Sequence, residues 1–303
     1  MKLGCNCMKV RKAVIPVGGL GTRFLPMTKT IPKEMLPIVN KPTIQLVLEE
    51  AIASGIEIIV VVTNRYKQAI ENYFDCSPGL EKELRQKGKS YLLKELTSLT
   101  DSIDICIVRQ KEPLGLGHAI MCTRFVIGNE PFAVLLADEI INSNPPALKQ
   151  LIKVYEERKE PIIGVKKVPI EEIPQYGIVY PGKQYDTSLF QVDRLVEKPS
   201  YNKNSSRFAM IGRYVLTPNI FEILECTPVG KGKEIQLTDA LQELIAFQRM
   251  TAIQIQGERY DVGKPLGYIQ ALIAFALKQK ELQSDLKRYM FSLIEGESLD
   301  EIN

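Results

Sequence analysis

Residues 13–23 read AVIPVGGLGTR, an apolar run that passes directly into a glycine-rich turn and ends at Arg23. Such a transition is typical of phosphate-binding sites, because glycines let backbone N–H groups approach an anion and an arginine can bind phosphate oxygens. The turn does not match G-x-G-x-x-G, and it lacks the G-K-[ST] of a Walker A loop. A dehydrogenase and a P-loop enzyme are therefore disfavoured. For the glycines taken alone, an ordinary strand-to-helix turn stays the simpler interpretation.

Outside this turn, apolar β-branched runs alternate with amphipathic stretches of helical length, the pattern of βαβ units. The predicted strands cover residues 13–17, 58–62, 103–108, 132–136, 162–168, 177–180, 189–196, 208–216 and 252–256. The predicted helices cover residues 44–54, 68–73, 80–99, 118–126, the stretch after Pro145 to about 159, 219–225 and 237–247, and a final pair from 266 onward. We therefore expect an α/β fold of Rossmann-like type: a mostly parallel twisted sheet flanked by helices, with a small mixed β insertion and C-terminal helices.

Composition excludes several classes of function. The chain has 303 residues with 39 Lys and Arg against 36 Asp and Glu, a net charge of +3, which is too small to indicate nucleic-acid binding. Its longest apolar stretches, such as 58–62 and 132–137, are far shorter than a membrane-spanning helix requires. Six cysteines are few for this length, Cys106 and Cys122 lie in apolar segments, and the N-terminus has no hydrophobic signal core, so we expect reduced thiols and a cytoplasmic protein.

The chain has one histidine, His118, which excludes a histidine metal cluster and an HExxH site. It follows LGLG and precedes an apolar helical run. We interpret it as a partly buried residue at a helix start rather than as a catalytic base.

A second basic segment follows the glycine turn. Residues 25–42, LPMTKTIPKEMLPIVNKP, carry prolines at 26, 32, 37 and 42, which prevent a continuous helix and predict a shaped loop. This loop would hold Lys29, Lys33 and Glu34 over the sheet, as a clamp on a polyphosphate does. The alternative is that these lysines are merely solvated.

Eight motifs in one order carry a resemblance to a known family. They are GLGTRFLPMTKTIPKEMLP (19–37), RQKEPLGLGHA (109–119), LLAD (135–138), YGIV (176–179), VEKP (196–199), IGRYVL (211–216), GKGKEIQLTDA (230–240) and YDVGKPLGY (260–268). The set resembles the sugar-1-phosphate nucleotidylyltransferases and, among them, the bacterial UTP:glucose-1-phosphate uridylyltransferases. The resemblance covers nearly the whole chain and implies a catalytic domain over residues 8–280 with interleaved sugar-binding elements, followed by a helical arm over 281–303.

The resemblance also implies a role for individual residues. Catalysis would rest on Arg23 and Lys33, which would hold the triphosphate and stabilise charge at the α-phosphorus. The implied nucleotide-binding residues are Gly18, Gly19, Leu20, Gly21, Glu34, Gln110 and Gly115. The implied sugar-phosphate residues are Gly177, Glu197, Lys198 and Gly212, and the implied Mg²⁺ ligands are Asp138 and Asp261.

The residues themselves support parts of this assignment. The Gln110 amide, at the end of an apolar strand, offers a donor and an acceptor to a base edge, although it could equally cap the strand. Asp138 follows the apolar strand AVLLA, beyond whose carboxyl end open α/β sheets bind ligands, although a lone aspartate is more often a cap. Glu197 and Lys198 point to opposite faces of a strand unless it ends or bulges there, which Pro199 makes plausible.

The implied reaction is attack of a glucose 1-phosphate oxygen on the α-phosphorus of UTP, giving UDP-glucose and pyrophosphate. Gly19 stands where the family often has alanine, and Glu139 could supply a second, longer carboxylate beside Asp138. The alternatives are a thymidylyltransferase that uses dTTP and a noncatalytic regulator that binds a sugar nucleotide. We expect a homodimer or homotetramer, because residues 281–294 are amphipathic.

Overall fold

The computed structural model describes residues 9–200 and 206–295. Its strands are β1 (Lys12–Pro16), β2 (Pro37–Ile38), β3 (Lys41–Pro42), β4 (Ile58–Thr63), β5 (Asp104–Arg109), β6 (Phe132–Leu135), β7 (Glu139–Asn142), β8 (Ile162–Lys167), β9 (Gly177–Gln184), β10 (Leu189–Glu197), β11 (Phe208–Leu216), β12 (Thr251–Gln254) and β13 (Glu258–Asp261). Its α-helices are α1 (Thr43–Ala53), α2 (Gln68–Phe74), α3 (Pro78–Gln86), α4 (Ser90–Thr97), α5 (Leu116–Met121), α6 (Arg124–Ile127), α7 (Ala147–Arg158), α8 (Asn219–Cys226), α9 (Leu237–Leu244), α10 (Pro265–Ala276) and α11 (Lys280–Glu295).

One large sheet organises the part of the chain that the structure describes, with strand order β5-β4-β1-β6-β11-β8-β12-β10-β9. The first four strands of that order are parallel, and Val14 of β1 lies in register with Val60 of β4 and Val134 of β6. The α/β fold is thus confirmed. The other pairings are antiparallel apart from β8 with β12. The short connection between β9 and β10 makes them an antiparallel pair. The mixed β segment belongs to the main sheet because β10 also pairs with β12, and β9 with β11.

Both faces of this sheet are covered, which explains why its strands are continuously apolar. Side chains alternate along β1: Ala13 and Ile15 belong to one buried cluster and Val14 to the other. Helices α1 and α7 contribute to the first cluster, and helices α5, α8 and α9 contribute to the second. Because β1, β5 and β6 run parallel, their carboxyl ends lie at the same edge of the sheet, between two layers of helices.

The predicted helices differ from the observed ones in two places. The predicted helix over 80–99 is two helices, α3 and α4, because the chain breaks at Gly88, whose φ is +68°. The predicted helix over 118–126 begins earlier, at Leu116, and is interrupted before α6, so His118 is the third residue of α5 rather than its start.

The described part of the chain ends in helix α11. Helix α11 covers the first part of the predicted arm, whereas residues 296–303 lie outside the described residues. No helix within residues 9–200 and 206–295 is both long and apolar enough to cross a membrane.

Candidate active site

Two adjoining cavities lie at the edge where β1, β5 and β6 end. The first, about 260 Å³, is lined by Gly18, Gly19, Lys33, Glu34, Gln110, Gly115 and Asp138, among others. The second, about 270 Å³, is lined by Arg23, Asp138, Gly177, Glu197, Lys198, Gly212 and Asp261, among others. Asp138 lines both. The fold thus brings together nearly all of the site residues predicted from the sequence; Leu20 and Gly21 line neither cavity.

The glycine turn forms one wall of the first cavity. Asn64 Nδ2 donates to the carbonyl of Gly18 at 2.8 Å and fixes the turn to the end of β4. A Cβ on Gly18 would stand 2.8 Å from Gln110 Oε1, closer than side chains approach one another. Glycine at position 18 therefore makes room for the Gln110 amide, which is 5% exposed.

The opposite wall of the first cavity is formed around Gly115. Its φ is +96°, and a Cβ there would lie 2.6 Å from Glu234 Cβ. The Gly115 carbonyl accepts a hydrogen bond from Gln110 Nε2 at 3.1 Å. Position 115 therefore requires glycine, and both walls contact Gln110.

The proline-rich loop is a series of short 3₁₀ turns, at Thr22–Phe24, Met27–Lys29 and Lys33–Met35, as its prolines predict. Arg23 reaches across to donate to the carbonyl of Gly263 at 3.4 Å and lines the second cavity. Lys29 is exposed and lines neither cavity, in agreement with the alternative of a solvated lysine.

Lys33 Nζ contacts Asp138 Oδ2 at 2.6 Å. Burial alone would raise the pKa of Asp138, but Lys33 and, more weakly, Arg23 outweigh it and hold that pKa below its usual range. Burial alone would lower the pKa of Lys33, but Asp138 and Glu34 raise it. Both groups are therefore charged at neutral pH.

Glu34 follows Lys33 in the chain and is 2% exposed. Its carboxylate accepts a hydrogen bond from Lys67 Nζ at 2.6 Å. Burial raises the pKa of Glu34, and the lysines at 67 and 33 only partly offset that effect. Although Glu34 lines the first cavity, its carboxylate is already bound by Lys67, which the sequence did not single out.

Asp138 and Asp261 face each other across Gly263. Strand β13 pairs with β7 so that Asp261 stands opposite Glu139, next in the chain to Asp138. A Cβ on Gly263 would lie 3.1 Å from Asp138 Oδ2 and 3.2 Å from Asp261 Oδ1. Glycine thus leaves a space bounded by two carboxylate oxygens, which fits Mg²⁺, a cation that prefers a few carboxylates completed by phosphate oxygens and water.

Glu139, next to Asp138 in the chain, is bound by an arginine. Arg259 donates to both of its carboxylate oxygens, at 2.6 and 2.7 Å, and Glu139 is 7% exposed. Burial raises the pKa of Glu139 to about 7 despite this pair. The Arg259 pair disfavours the expectation that Glu139 adds a second carboxylate beside Asp138, although Glu139 lines the second cavity.

The other oxygen of Asp261 is bound by two residues that lie in the motifs 176–179 and 260–268 and have no predicted role. Tyr176 donates its hydroxyl hydrogen to Asp261 Oδ2 at 2.9 Å, and Lys264 Nζ lies 2.9 Å from the same atom. Lys264 also donates to the Tyr176 hydroxyl oxygen at 2.8 Å. These contacts orient Asp261 with Oδ1 towards Asp138.

Glu197 and Lys198 line the second cavity together because β10 ends at Glu197, as Pro199 suggests. Lys198 has a φ of 43°, and its backbone N–H donates to the carbonyl of Tyr176 at 3.1 Å. Thr238 donates to Glu197 Oε2 at 2.6 Å, and Lys198 Nζ lies 3.2 Å from Glu197 Oε1.

Two glycines shape the second cavity. A Cβ on Gly177 would lie 2.1 Å from Met210 Cε and 3.1 Å from Glu197 Oε2. Gly212 has a φ of +69°, and a Cβ there would lie 2.8 Å from Leu136 Cβ. At both positions the absence of a side chain therefore lets the backbone lie close to the cavity.

A buried arginine supports the loop that carries Asp138. Arg213, fully buried on β11, forms two hydrogen bonds with the carboxylate of Glu50 on α1, at 2.8 and 2.9 Å. It also donates to the carbonyls of Leu136 and Glu139, at 3.1 and 2.7 Å, which flank Ala137 and Asp138. The feature of the sequence that indicates this supporting role is an arginine inside the apolar run IGRYVL.

The profile of the family described as Nucleotidyl transferase matches residues 12–277, which include both cavities. The chain belongs to the nucleotidyl transferase family. Its relatives in that family include the UTP–glucose-1-phosphate uridylyltransferase of Bacillus subtilis (strain 168), 51% identical over 295 residues, 96% of this chain and 99% of the relative. A relative of the same description from Staphylococcus epidermidis is 50% identical over 285 residues, 94% of this chain and 99% of the relative.

Solved structures of nucleotidyl transferases share the fold. A UDP-glucose pyrophosphorylase complexed with UDP-glucose is 43% identical with a TM-score of 0.82, over 89% of this chain and all of that chain. A UTP-bound UGPase from Acinetobacter baumannii is 40% identical with a TM-score of 0.87, over 94% of this chain and 99% of that chain.

Proposed function

We propose that the protein transfers UMP from UTP to glucose 1-phosphate, giving UDP-glucose and pyrophosphate. The observation that carries this proposal is the junction of the two cavities at Asp138, with Lys33 in contact with it. A nucleotide in the first cavity and a sugar phosphate in the second would bring their phosphates together there. The uridylyltransferase relatives at about 50% identity support UTP and glucose 1-phosphate as the two substrates.

In this proposal the first cavity holds the nucleotide and the second holds the sugar phosphate. Gly18, Gly19 and Leu20 would contact the nucleotide through backbone, beside Gly21, and Gln110 and Gly115 would contact the base. Glu197 would accept hydrogen bonds from sugar hydroxyls, and Lys198 would bind the phosphate of the sugar. Gly177 and Gly212 would contribute backbone contacts to the same ligand.

The reaction needs no general base. The nucleophile is an oxygen of a phosphate monoester, whose second pKa is about 6, so it is largely ionised at neutral pH. The barrier is then the approach of two polyanions in line, which Arg23, Lys33 and Lys198 would lower by neutralising phosphate charge. Mg²⁺ held by Asp138 and Asp261 would supply further neutralisation of phosphate oxygens.

The test is pyrophosphate release with Mg²⁺ and glucose 1-phosphate, comparing UTP with dTTP and the wild type with Asp138→Ala. We expect release that prefers UTP and is lost in the variant. A preference for dTTP would make the protein a thymidylyltransferase. Nucleotide binding without release would favour the noncatalytic regulator.

The assembly and the compartment belong to this proposal as well. We propose a homodimer or homotetramer formed through α11, on which Phe291, Leu293 and Ile294 are 62%, 62% and 79% exposed. Light scattering after size-exclusion chromatography would contradict this if only a 34 kDa species eluted. Cytoplasmic localisation is supported by free thiols at Cys76, Cys106, Cys122 and Cys226.

A further inference from the structure

The Gln110 amide has a fixed orientation in the first cavity. Its nitrogen lies 3.1 Å from the carbonyl oxygen of Gly115 and 3.0 Å from Nδ1 of His118. A backbone carbonyl only accepts hydrogen bonds, so the amide atom beside Gly115 must be the NH₂ group. The reverse orientation would place two oxygens against each other.

His118 accepts a hydrogen bond from the second hydrogen of that NH₂ group. For this its Nδ1 must carry a lone pair, so the neutral ring must hold its proton on Nε2. Nε2 lies 3.9 Å from Sγ of Cys122, the residue directly after α5, a distance that suits a weak hydrogen bond in which Nε2–H donates to the sulfur. The tautomer is therefore set by the Gln110 side of the ring, because a thiol can serve as donor or acceptor towards Nε2.

Both amide hydrogens of Gln110 are then engaged within the protein, and only Oε1 remains to contact a ligand. Oε1 lies against the glycine turn, 2.8 Å from where a Cβ on Gly18 would stand. An acceptor at this place complements a base with an N–H on its Watson–Crick edge, as N3 of uracil and thymine has. The same acceptor disfavours cytosine, because N3 of cytosine is itself an acceptor and the two atoms would repel each other.

We propose that His118 is a positioning residue for base specificity: it locks the Gln110 amide with Oε1 towards the base, and so selects pyrimidine nucleotides with an N3–H over cytidine nucleotides. This inference rests on the proposed function, because it takes the first cavity to be the nucleotide site. From the sequence alone His118 is interpreted as structural, because an isolated histidine on a helix has no partner that the sequence reveals.

Two substitutions separate this role from simple packing. His118→Phe keeps a ring of similar size and replaces the Nδ1 acceptor with a carbon. His118→Asn places its side-chain oxygen at about the position of Nδ1 and so restores an acceptor. The measurement is kcat/KM for UTP, dTTP and CTP with glucose 1-phosphate, for the wild type and both variants.

We expect His118→Phe to lower the UTP:CTP ratio of kcat/KM about tenfold, the factor associated with one neutral hydrogen bond. The UTP:dTTP ratio stays unchanged, because both bases carry N3–H, and His118→Asn retains the wild-type UTP:CTP ratio. Equal losses for all three nucleotides in His118→Phe, or a UTP:CTP ratio that falls equally in both variants, would overturn the proposal.

A measurement on the wild type does not depend on whether the variants fold. Because the chain has one histidine, selective ¹⁵N labelling gives a single imidazole in the NMR spectrum. In alkaline buffer we expect Nε2 to be protonated and Nδ1 unprotonated, and the opposite tautomer would overturn the proposal. If the wild type released no pyrophosphate with UTP, the proposed function would fail, and equilibrium binding of UTP, dTTP and CTP would still test the selectivity.

Discussion

Lys33 and Asp138, 105 positions apart in the chain, are joined by a 2.6 Å contact where the two cavities meet. Lys33 comes from the loop after β1, and Asp138 follows β6, the parallel neighbour of β1. The contact therefore results from the general rule that ligand-binding residues gather beyond the carboxyl ends of parallel strands. It places the cation that we propose binds the triphosphate beside the carboxylate that we propose binds the metal ion.

The first prediction concerns this pair. We expect Asp138→Asn to lower kcat for pyrophosphate release by at least about a hundredfold, because it removes a charged ligand from the proposed Mg²⁺ site. Raising the Mg²⁺ concentration in the assay should recover only part of the activity. The control is Asp186→Asn, on an exposed loop outside both cavities, which should retain full activity. Wild-type kcat in Asp138→Asn would contradict the metal assignment.

A second prediction concerns the buried pair of Arg213 and Glu50. Glu50→Gln removes one charge and leaves the fully buried guanidinium without its counter-ion, so we expect the free energy of unfolding to fall by about 3 to 5 kcal/mol in urea titrations. In the double variant with Arg213→Met no buried charge is left unpaired, and most of the stability should return.

Measuring activity distinguishes two roles of Arg213: stabilising the fold and holding the loop that carries Asp138. The double variant lacks the guanidinium that holds the carbonyls on both sides of Asp138, so its kcat should stay low although its stability recovers. A stable double variant with wild-type kcat would show that Arg213 contributes to stability alone.

The sequence predicted most strands, and the fold brings most of the predicted site residues together at two cavities. Continuous apolar runs predicted β1, β4 and β6, and motifs placed Asp138, Glu197 and Lys198 at strand ends. It could not supply the antiparallel half of the sheet, because strand pairing depends on contacts between distant segments. The partners of site residues were missed for the same reason: Lys67, Arg259 and Thr238 lie far in sequence from the carboxylates that they bind.

A third prediction concerns Gly177. We expect Gly177→Ala to raise KM for glucose 1-phosphate at least about tenfold with little change in KM for UTP, because the new Cβ would crowd Met210 and displace the Glu197 carboxylate. The measurement is initial-rate kinetics with each substrate varied in turn.

The matched control lies on the same strand. A Cβ on Gly182 would meet nothing closer than 3.3 Å, so Gly182→Ala should leave both KM values near those of the wild type. If Gly177→Ala raised KM for UTP and left KM for glucose 1-phosphate unchanged, the assignment of the second cavity to the sugar phosphate would be wrong.

The fourth prediction is a pH dependence of stability. Burial raises the pKa of Glu34 above its ordinary value of 4.5, with the lysines at 67 and 33 opposing it. Above pH 4.5, and up to the raised pKa, the folded protein retains a proton that the unfolded chain has released. The contribution of Glu34 to the free energy of unfolding therefore decreases as pH rises through this window.

Glu34→Gln removes this titration, so we expect the difference in unfolding free energy, wild type minus variant, to decrease from about pH 4 to pH 7. The measurement is urea unfolding at several pH values. Glu83→Gln is the control, because the exposed pair of Glu83 with Lys87 should contribute less than about 1 kcal/mol at any pH. A difference that increased with pH would mean that the ion pair with Lys67 outweighs burial and lowers the pKa of Glu34.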